Sequence, residues 1–117
     1  MNLRLASLTV MMTAAFAAPA SAHHSFAMYE ANRTTTLQGT VKQFEWVNPH
    51  CWLRVMATDE RTGKPALWTF EMGAPSQLSA TGIYANSFKP GDVVSVTFLP
   101  RMDGSRTGLL VRGALAR

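Results

Sequence analysis

HCWLRVMAT, residues 50–58, is the segment with the clearest structural pattern in the sequence. Its odd-numbered residues are apolar or small, whereas the alternate positions include His50, Trp52 and Arg54. Successive side chains of a β-strand point to opposite faces, so this alternation predicts a strand with one face on a core. His50, Trp52 and Arg54 then share the face opposite the core row.

Four other segments have strand character, at about 34–47, 66–72, 93–99 and 108–116. A short helix is predicted between the third and fourth strands, with Ser76 as its N-cap and Gly82 as its stop. The rows expected to face the core in the last three strands are Trp68, Phe70 and Met72, then Val94, Val96 and Phe98, and finally Leu109, Val111 and Leu115.

The first strand changes the parity of its apolar positions between Val41 and Phe44, which predicts a β-bulge near Lys42-Gln43. Bulges bend strands at the corners of barrels. Together with the order β-β-β-α-β-β, this predicts a mainly β fold, a small five-stranded OB-like barrel. A curled open sheet or a small sandwich is the alternative.

The first 22 residues are predicted to be a signal peptide. Arg4 supplies the positive start, an apolar run follows to Ala18, and Ala20-Ser21-Ala22 is an A-x-A cleavage site. An uncleaved N-terminal anchor is the alternative. We therefore expect residues 23–33 to form an N-terminal arm and residues 34–117 a single domain. The expected location is the periplasm, with no stable membrane insertion after cleavage.

Composition bears on the partners. The formal net charge is +4, and the basic residues are scattered along the chain. With export, this leads to the prediction that nucleic acid is not a partner. The sequence does not indicate a particular protein partner. Cys51 is the only cysteine, so no internal disulfide is expected.

Cleavage after Ala22 would make His23 the first residue, with an α-amine and an imidazole able to chelate one metal ion. A further imidazole from His50, or from the adjacent His24, would complete a set of nitrogen ligands that suits copper(II). The sequence thus predicts a metal site at His23, His50 and His24, with copper as the candidate metal. In the alternative interpretation, the two terminal histidines are solvated and His50 only shapes a turn.

A second hypothesis is a non-metal binding module, in which Trp52 and Arg54 bind a peptide, a glycan or a partner protein. The sequence offers no catalytic constellation and no cofactor-binding fingerprint. We therefore favour a binding protein over an enzyme, and a redox enzyme using the same copper site is a third hypothesis.

Several motifs occur in a characteristic order: HHSF (23–26), GTV (39–41), EWVNPH (45–50), GAPSQL (73–78), KPGD (89–92) and DGS (103–105). In this combination the chain resembles the bacterial exported proteins grouped as domain-of-unknown-function family 6152. The resemblance covers essentially the whole chain after residue 22 and implies a periplasmic protein without established activity. It departs from the family at Ile83, where members often have Trp after Gly, and at Cys51.

Overall fold

The computed structural model describes residues 27–116, and these residues form a closed five-stranded barrel. The barrel order is β1-β2-β3-β5-β4, with β4 closing onto β1. Neighbouring strands are antiparallel except β3 and β5, which are parallel. The predicted OB-like barrel is confirmed, and residues 27–116 do not form the curled open sheet or the small sandwich that were its alternatives. The elements are β1 (Thr35–Glu45), β2 (Trp52–Asp59), β3 (Lys64–Glu71), helix α1 (Pro75–Ala80), β4 (Val93–Pro100) and β5 (Thr107–Leu115).

The core is built from the alternation that the sequence displays. In β2, Leu53 and Val55 are fully buried, as Val94 and Val96 are in β4, while the residues between them are more exposed. The rings of Phe70 and Phe98 lie 4.8 Å apart between their centroids. The inward rows predicted for β2 and β4 are confirmed.

The bulge predicted in β1 is also confirmed, because the β1–β2 register shifts between Val41 and Gln43. Just before it, β1 approaches β2 so closely that only glycine fits at position 39. A Cβ on Gly39 would lie 2.4 Å from the backbone oxygen of Met56, far inside van der Waals contact.

The inward row predicted for β5 is wrong. Val111 is 57% exposed and Leu115 is 42% exposed, while Gly108 is buried and Leu110 packs on the core. The β4–β5 register shifts by one residue at Val111, and each such shift reverses which side chains face the core. A two-residue alternation read across the whole strand misses this shift.

Helix α1 begins at Pro75, so the prediction of Ser76 as its N-cap is wrong. Ala74 occupies the cap, and the Gln77 side chain accepts a hydrogen bond from the Ala74 backbone N–H at 2.9 Å. This is the glutamine half of a capping box, in which the N3 side chain accepts from the N-cap N–H; alanine has no side-chain oxygen to supply the other half. Gly82 follows the helix with φ +88°, as a glycine stop predicts.

One end of the barrel is closed by the segment that contains α1. Leu78, Ile83 and Phe88 pack on the core there, and the ring of Phe88 meets that of Phe44 edge to face. Within residues 27–116, no helix is both long enough and apolar enough to cross a membrane.

The described part of the N-terminal arm docks on the barrel. Tyr29 forms an isolated antiparallel bridge with Arg101, and the Glu30 N–H donates to the Pro100 carbonyl at 2.9 Å. Tyr29 is only 3% exposed. The arm therefore covers part of the outer surface of the barrel.

Candidate functional site

His50, Trp52 and Arg54 lie on one face of the β2 segment, outside the barrel. Each is partly exposed, while Cys51, Leu53 and Val55 between them are fully buried. We call the surface formed by His50, Trp52, Arg54 and the neighbouring Glu71 the outer β2 face. It brings together the three predicted site residues that lie within the described part of the chain.

The His50 ring is held through Nδ1. This atom lies 3.2 Å from the carbonyl oxygen of Met72 and 3.5 Å from Oε1 of Glu71. A carbonyl oxygen can only accept, so the contact with Met72 requires the proton on Nδ1. The neutral ring then carries its lone pair on Nε2, and its side chain is 38% exposed.

Glu71 is the unexpected member of the outer β2 face. Its side chain points away from the core, yet the residue is only 4% exposed. The Tyr29 hydroxyl donates to Glu71 Oε2 at 2.7 Å, and Oε1 faces His50. Burial raises the pKa of Tyr29 above its ordinary value, and the hydrogen bond to the Glu71 carboxylate adds to that rise. The phenol therefore remains a donor at neutral pH.

Neither Tyr29 nor Glu71 was identified from the sequence as a functional residue. Glu71 follows the alternation of β3 as an ordinary outward residue, and its burial comes from an arm that lies 42 residues earlier in the chain. No local sequence pattern around Glu71 indicates a contact with the arm. The large apolar and aromatic residues of the arm, Phe26, Met28 and Tyr29, are the one sequence signal that the arm packs on another part of the chain.

Arg54 is already engaged. Its Nη1 donates to Glu45 Oε2 at 2.7 Å and to Gln43 Oε1 at 3.1 Å. Trp52 pairs with Glu45 on one side and Glu71 on the other in the strand register. The outer β2 face therefore presents a half-buried indole between two carboxylates rather than a positive surface.

His23 and His24 lie outside the described residues. Cys51 is fully buried, and its Sγ is directed to the Val47 carbonyl at 3.7 Å, so it does not share the face of His50. No group of three or more histidine, cysteine, aspartate or glutamate side chains that could hold a metal occurs within residues 27–116. A metal bound at His50 must take further ligands from elsewhere.

Solved structures with a similar fold are mitochondrial single-stranded DNA binding proteins from S. cerevisiae. Rim1 in one crystal form is 10% identical, with a TM-score of 0.54 over 73% of this chain and 94% of that one. A second form is 11% identical, with a TM-score of 0.50 over 73% and 96% of the two chains. Among curated proteins, none matches the sequence.

These likenesses correct one expectation. The prediction that nucleic acid is not a partner is wrong, because single-stranded DNA binding proteins carry this barrel. Scattered charge is a poor ground for excluding nucleic acid in this fold, since OB-folds also bind single strands by stacking bases on aromatic rings. At 10–11% identity, the likeness itself concerns the fold.

The family expectation is confirmed by a match over residues 11–112. The motifs that carry the resemblance include the EWVNPH stretch, which leads into the outer β2 face at His50. The chain belongs to the family of unknown function DUF6152.

Proposed function

We propose that this protein is an exported periplasmic binding protein that holds one copper(II) ion through His50 and its processed N-terminus. The ligands are His50 Nε2 together with the α-amine and imidazole of His23, with His24 as a further candidate. The observation that carries the proposal is the fixed His50 ring, whose Nδ1 donates to the Met72 carbonyl and lies 3.5 Å from Glu71 Oε1, while Nε2 carries the lone pair.

The surroundings of His50 resemble those of metal-binding histidines in general. Such histidines usually donate the second ring N–H to a carbonyl or carboxylate, which fixes the ring and raises its basicity. Here the Met72 carbonyl is the acceptor, and the Glu71 carboxylate lies beside it, 3.5 Å from Nδ1. The Tyr29 hydroxyl in turn fixes the Glu71 carboxylate.

The docked arm supports the same ligand set. Tyr29 contacts the carboxylate that faces His50, and His23 is six residues upstream of Tyr29. Six extended residues span at most about 20 Å. The length of the chain is therefore sufficient for the terminus to return to the His50 ring.

The metal follows from the donor set. Imidazole and amine nitrogens favour copper(II) most strongly among the divalent metals of the first row. An α-amine has an ordinary pKa of about 7.7–8.0, so copper can displace its proton near neutral pH. This amine exists only after the chain is cleaved after Ala22. Because signal-peptide cleavage accompanies export, export is part of the proposal.

The test compares copper affinity among three forms of the processed protein, by calorimetry against a competing chelator. The unmodified form should bind one copper(II) per chain. An added N-terminal methionine and the His50→Ala variant should each weaken binding at least about 30-fold, since each removes ligands. A Trp52→Phe variant is the control that leaves every proposed ligand intact. Unchanged affinity after either the extension or the His50 substitution contradicts the proposal.

A second candidate function is the binding of an extended ligand across Trp52. It is favoured because this half-buried indole lies on β2, and strand 2 belongs to the surface that binds oligomers in OB-folds. The ligand would be a peptide, a glycan, a partner protein or a nucleic acid strand. Because Arg54 is paired with Glu45, a peptide or glycan fits this face better than a polyanion. Quenching of Trp52 fluorescence by chito-oligosaccharides or peptides, absent in Trp52→Phe, would support it. If neither chito-oligosaccharides nor peptides quench the fluorescence, binding of a peptide or a glycan on this face is contradicted.

A further inference from the structure

Strand β5 has one edge that is only partly paired. On one side it pairs with β4 from Gly108 to Leu115, whereas its parallel pairing with β3 ends at Leu109. Beyond Leu109, no strand within residues 27–116 pairs with that second edge. We call residues 112–116, which follow the register shift at Val111, the free edge of β5.

The hydrogen bonds to β4 fix the direction of the backbone groups along the free edge. The Ala116 N–H donates to the Val93 carbonyl at 2.8 Å, so Ala116 is bonded to the β4 side. In an antiparallel pair, residues bonded to the neighbouring strand alternate with residues that direct their N–H and C=O away from it. Gly113 and Leu115 therefore direct their backbone groups away from β4, while Ala114 directs its own towards β4.

The free edge is accessible and has little protection against a further strand. Arg112, Ala114 and Leu115 are all exposed, with Leu115 at 42%. Natural sheet edges are commonly protected by several charges, by proline or by a covering segment. The free edge contains one charged residue, Arg112, and no proline. Its outward backbone groups are therefore a template for pairing with another strand.

The free edge is complementary to itself in an antiparallel register. A two-fold axis at Ala114 places Gly113 of each copy opposite Leu115 of the other. These residues direct their backbone groups outward, so each such pair exchanges two N–H···O bonds. Gly113 has no side chain, which leaves room for the leucine opposite it. Arg112 lies opposite Ala116, so the arginines of the two copies are not opposed.

We propose that two copies of this protein associate through the free edges of β5, in antiparallel register about Ala114. The pairing joins β4 and β5 of both barrels into one continuous sheet, with the same residues contributed by each copy. Because the free edge is short, the buried area is small and the dissociation constant is expected in the micromolar range. The free edge shares no residue with the outer β2 face, so the dimer does not depend on copper binding.

Cysteine cross-linking of the whole protein, as the expressing cell delivers it, tests the register. At the axis, Ala114 faces its counterpart in a pair without mutual hydrogen bonds, with Cα atoms about 4.5 Å apart. A disulfide bridges about 4.4–6.8 Å, so Ala114→Cys should form a covalent dimer on mild oxidation with diamide. Arg112→Cys is the matched control, because this exposed position lies more than about 13 Å from its counterpart along the strands. Cys51 is fully buried and does not compete.

Sedimentation velocity between about 5 μM and 1 mM then measures the dimer without a cross-link, over the range expected for a small interface. Leu115→Pro removes an outward N–H but no bond to β4, so it should weaken the dimer at least about 10-fold more than Leu115→Ala, which keeps that N–H. A protein that stays monomeric throughout, equal cross-linking of Ala114→Cys and Arg112→Cys, or equal dimerisation of Leu115→Pro and Leu115→Ala would each overturn the proposal. The two cysteine variants change exposed positions, so they remain informative even if Leu115→Pro fails to fold.

Discussion

The Tyr29–Glu71 hydrogen bond supports a quantitative prediction, because it joins the arm to the barrel across a buried carboxylate. Tyr29 is 3% exposed and Glu71 4% exposed, and the two oxygens are 2.7 Å apart. A hydrogen bond to a charged group contributes about 1.5–3 kcal/mol. Tyr29→Phe keeps the ring and removes only this donor, so we expect the free energy of unfolding to fall by about 2 kcal/mol.

The assay is urea unfolding followed by circular dichroism. The midpoint should fall while the slope stays constant, since the ring still packs and the buried area hardly changes. For a domain of this size, the same loss lowers Tm by about 10 °C. Tyr84→Phe is the matched control, because Tyr84, the other tyrosine, is 54% exposed. Its free energy should stay within about 0.5 kcal/mol of the parent.

A double-mutant cycle with Glu71→Gln isolates the contact from other effects of each substitution. The two changes should be non-additive by about 1 kcal/mol, because Glu71→Gln leaves a neutral acceptor in place of the carboxylate and so removes the charge assistance of the same bond that Tyr29→Phe deletes. A loss below about 0.5 kcal/mol for Tyr29→Phe, or additive effects in the cycle, would refute the docking of the arm through this pair.

Three further predictions concern the barrel. Gly39→Ala should destabilise the protein by at least about 2 kcal/mol, because its Cβ would lie 2.4 Å from the Met56 carbonyl, and urea unfolding measures the loss. The free energy of unfolding should fall as the pH drops from about 4 to 2, because the pKa of Asp59 is about 2 in the folded protein against an ordinary value of 3.8. In this range the unfolded chain binds more protons than the folded one. The Asp59→Asn variant should therefore show a flatter pH profile of stability between about pH 4 and 2. Val111→Thr should change stability by less than about 0.5 kcal/mol and Val96→Thr by more than about 1.5 kcal/mol, since only Val96 is buried.

Each of these has an outcome that contradicts it. A neutral Gly39→Ala would mean that β1 and β2 are not in close approach at this point. An Asp59→Asn variant whose acid profile still falls as steeply as the parent's would remove the role given to the carboxylate. Equal losses at positions 111 and 96 would mean that β5 has no register shift.

The parts of the fold that the sequence predicted are those set by local alternation. The rows at 51–57 and 94–98 each face one way along a whole strand, so a pattern of period two identifies both the strand and its core face. The bulge in β1 was also predicted, because apolar residues mark both sides of the change in parity.

The parts that failed depend on long-range geometry. The register shift at Val111 leaves apolar residues on both parities of β5, so the composition of the strand does not reveal it. The burial of Glu71 requires the arm, which lies 42 residues earlier in the chain. His50 was identified as a candidate ligand because it is a further imidazole on the strand face opposite the core row, but the partners of its Nδ1 came only with the β2–β3 pairing.

The measurement that most directly tests copper binding by a processed terminus and His50 is native mass spectrometry of protein recovered from the periplasm of copper-supplied cells. We expect a chain that begins at His23 and carries one copper ion, with the copper lost from His50→Ala and retained by Trp52→Phe. A chain beginning at another residue, or one that begins at His23 and carries no copper, would contradict it.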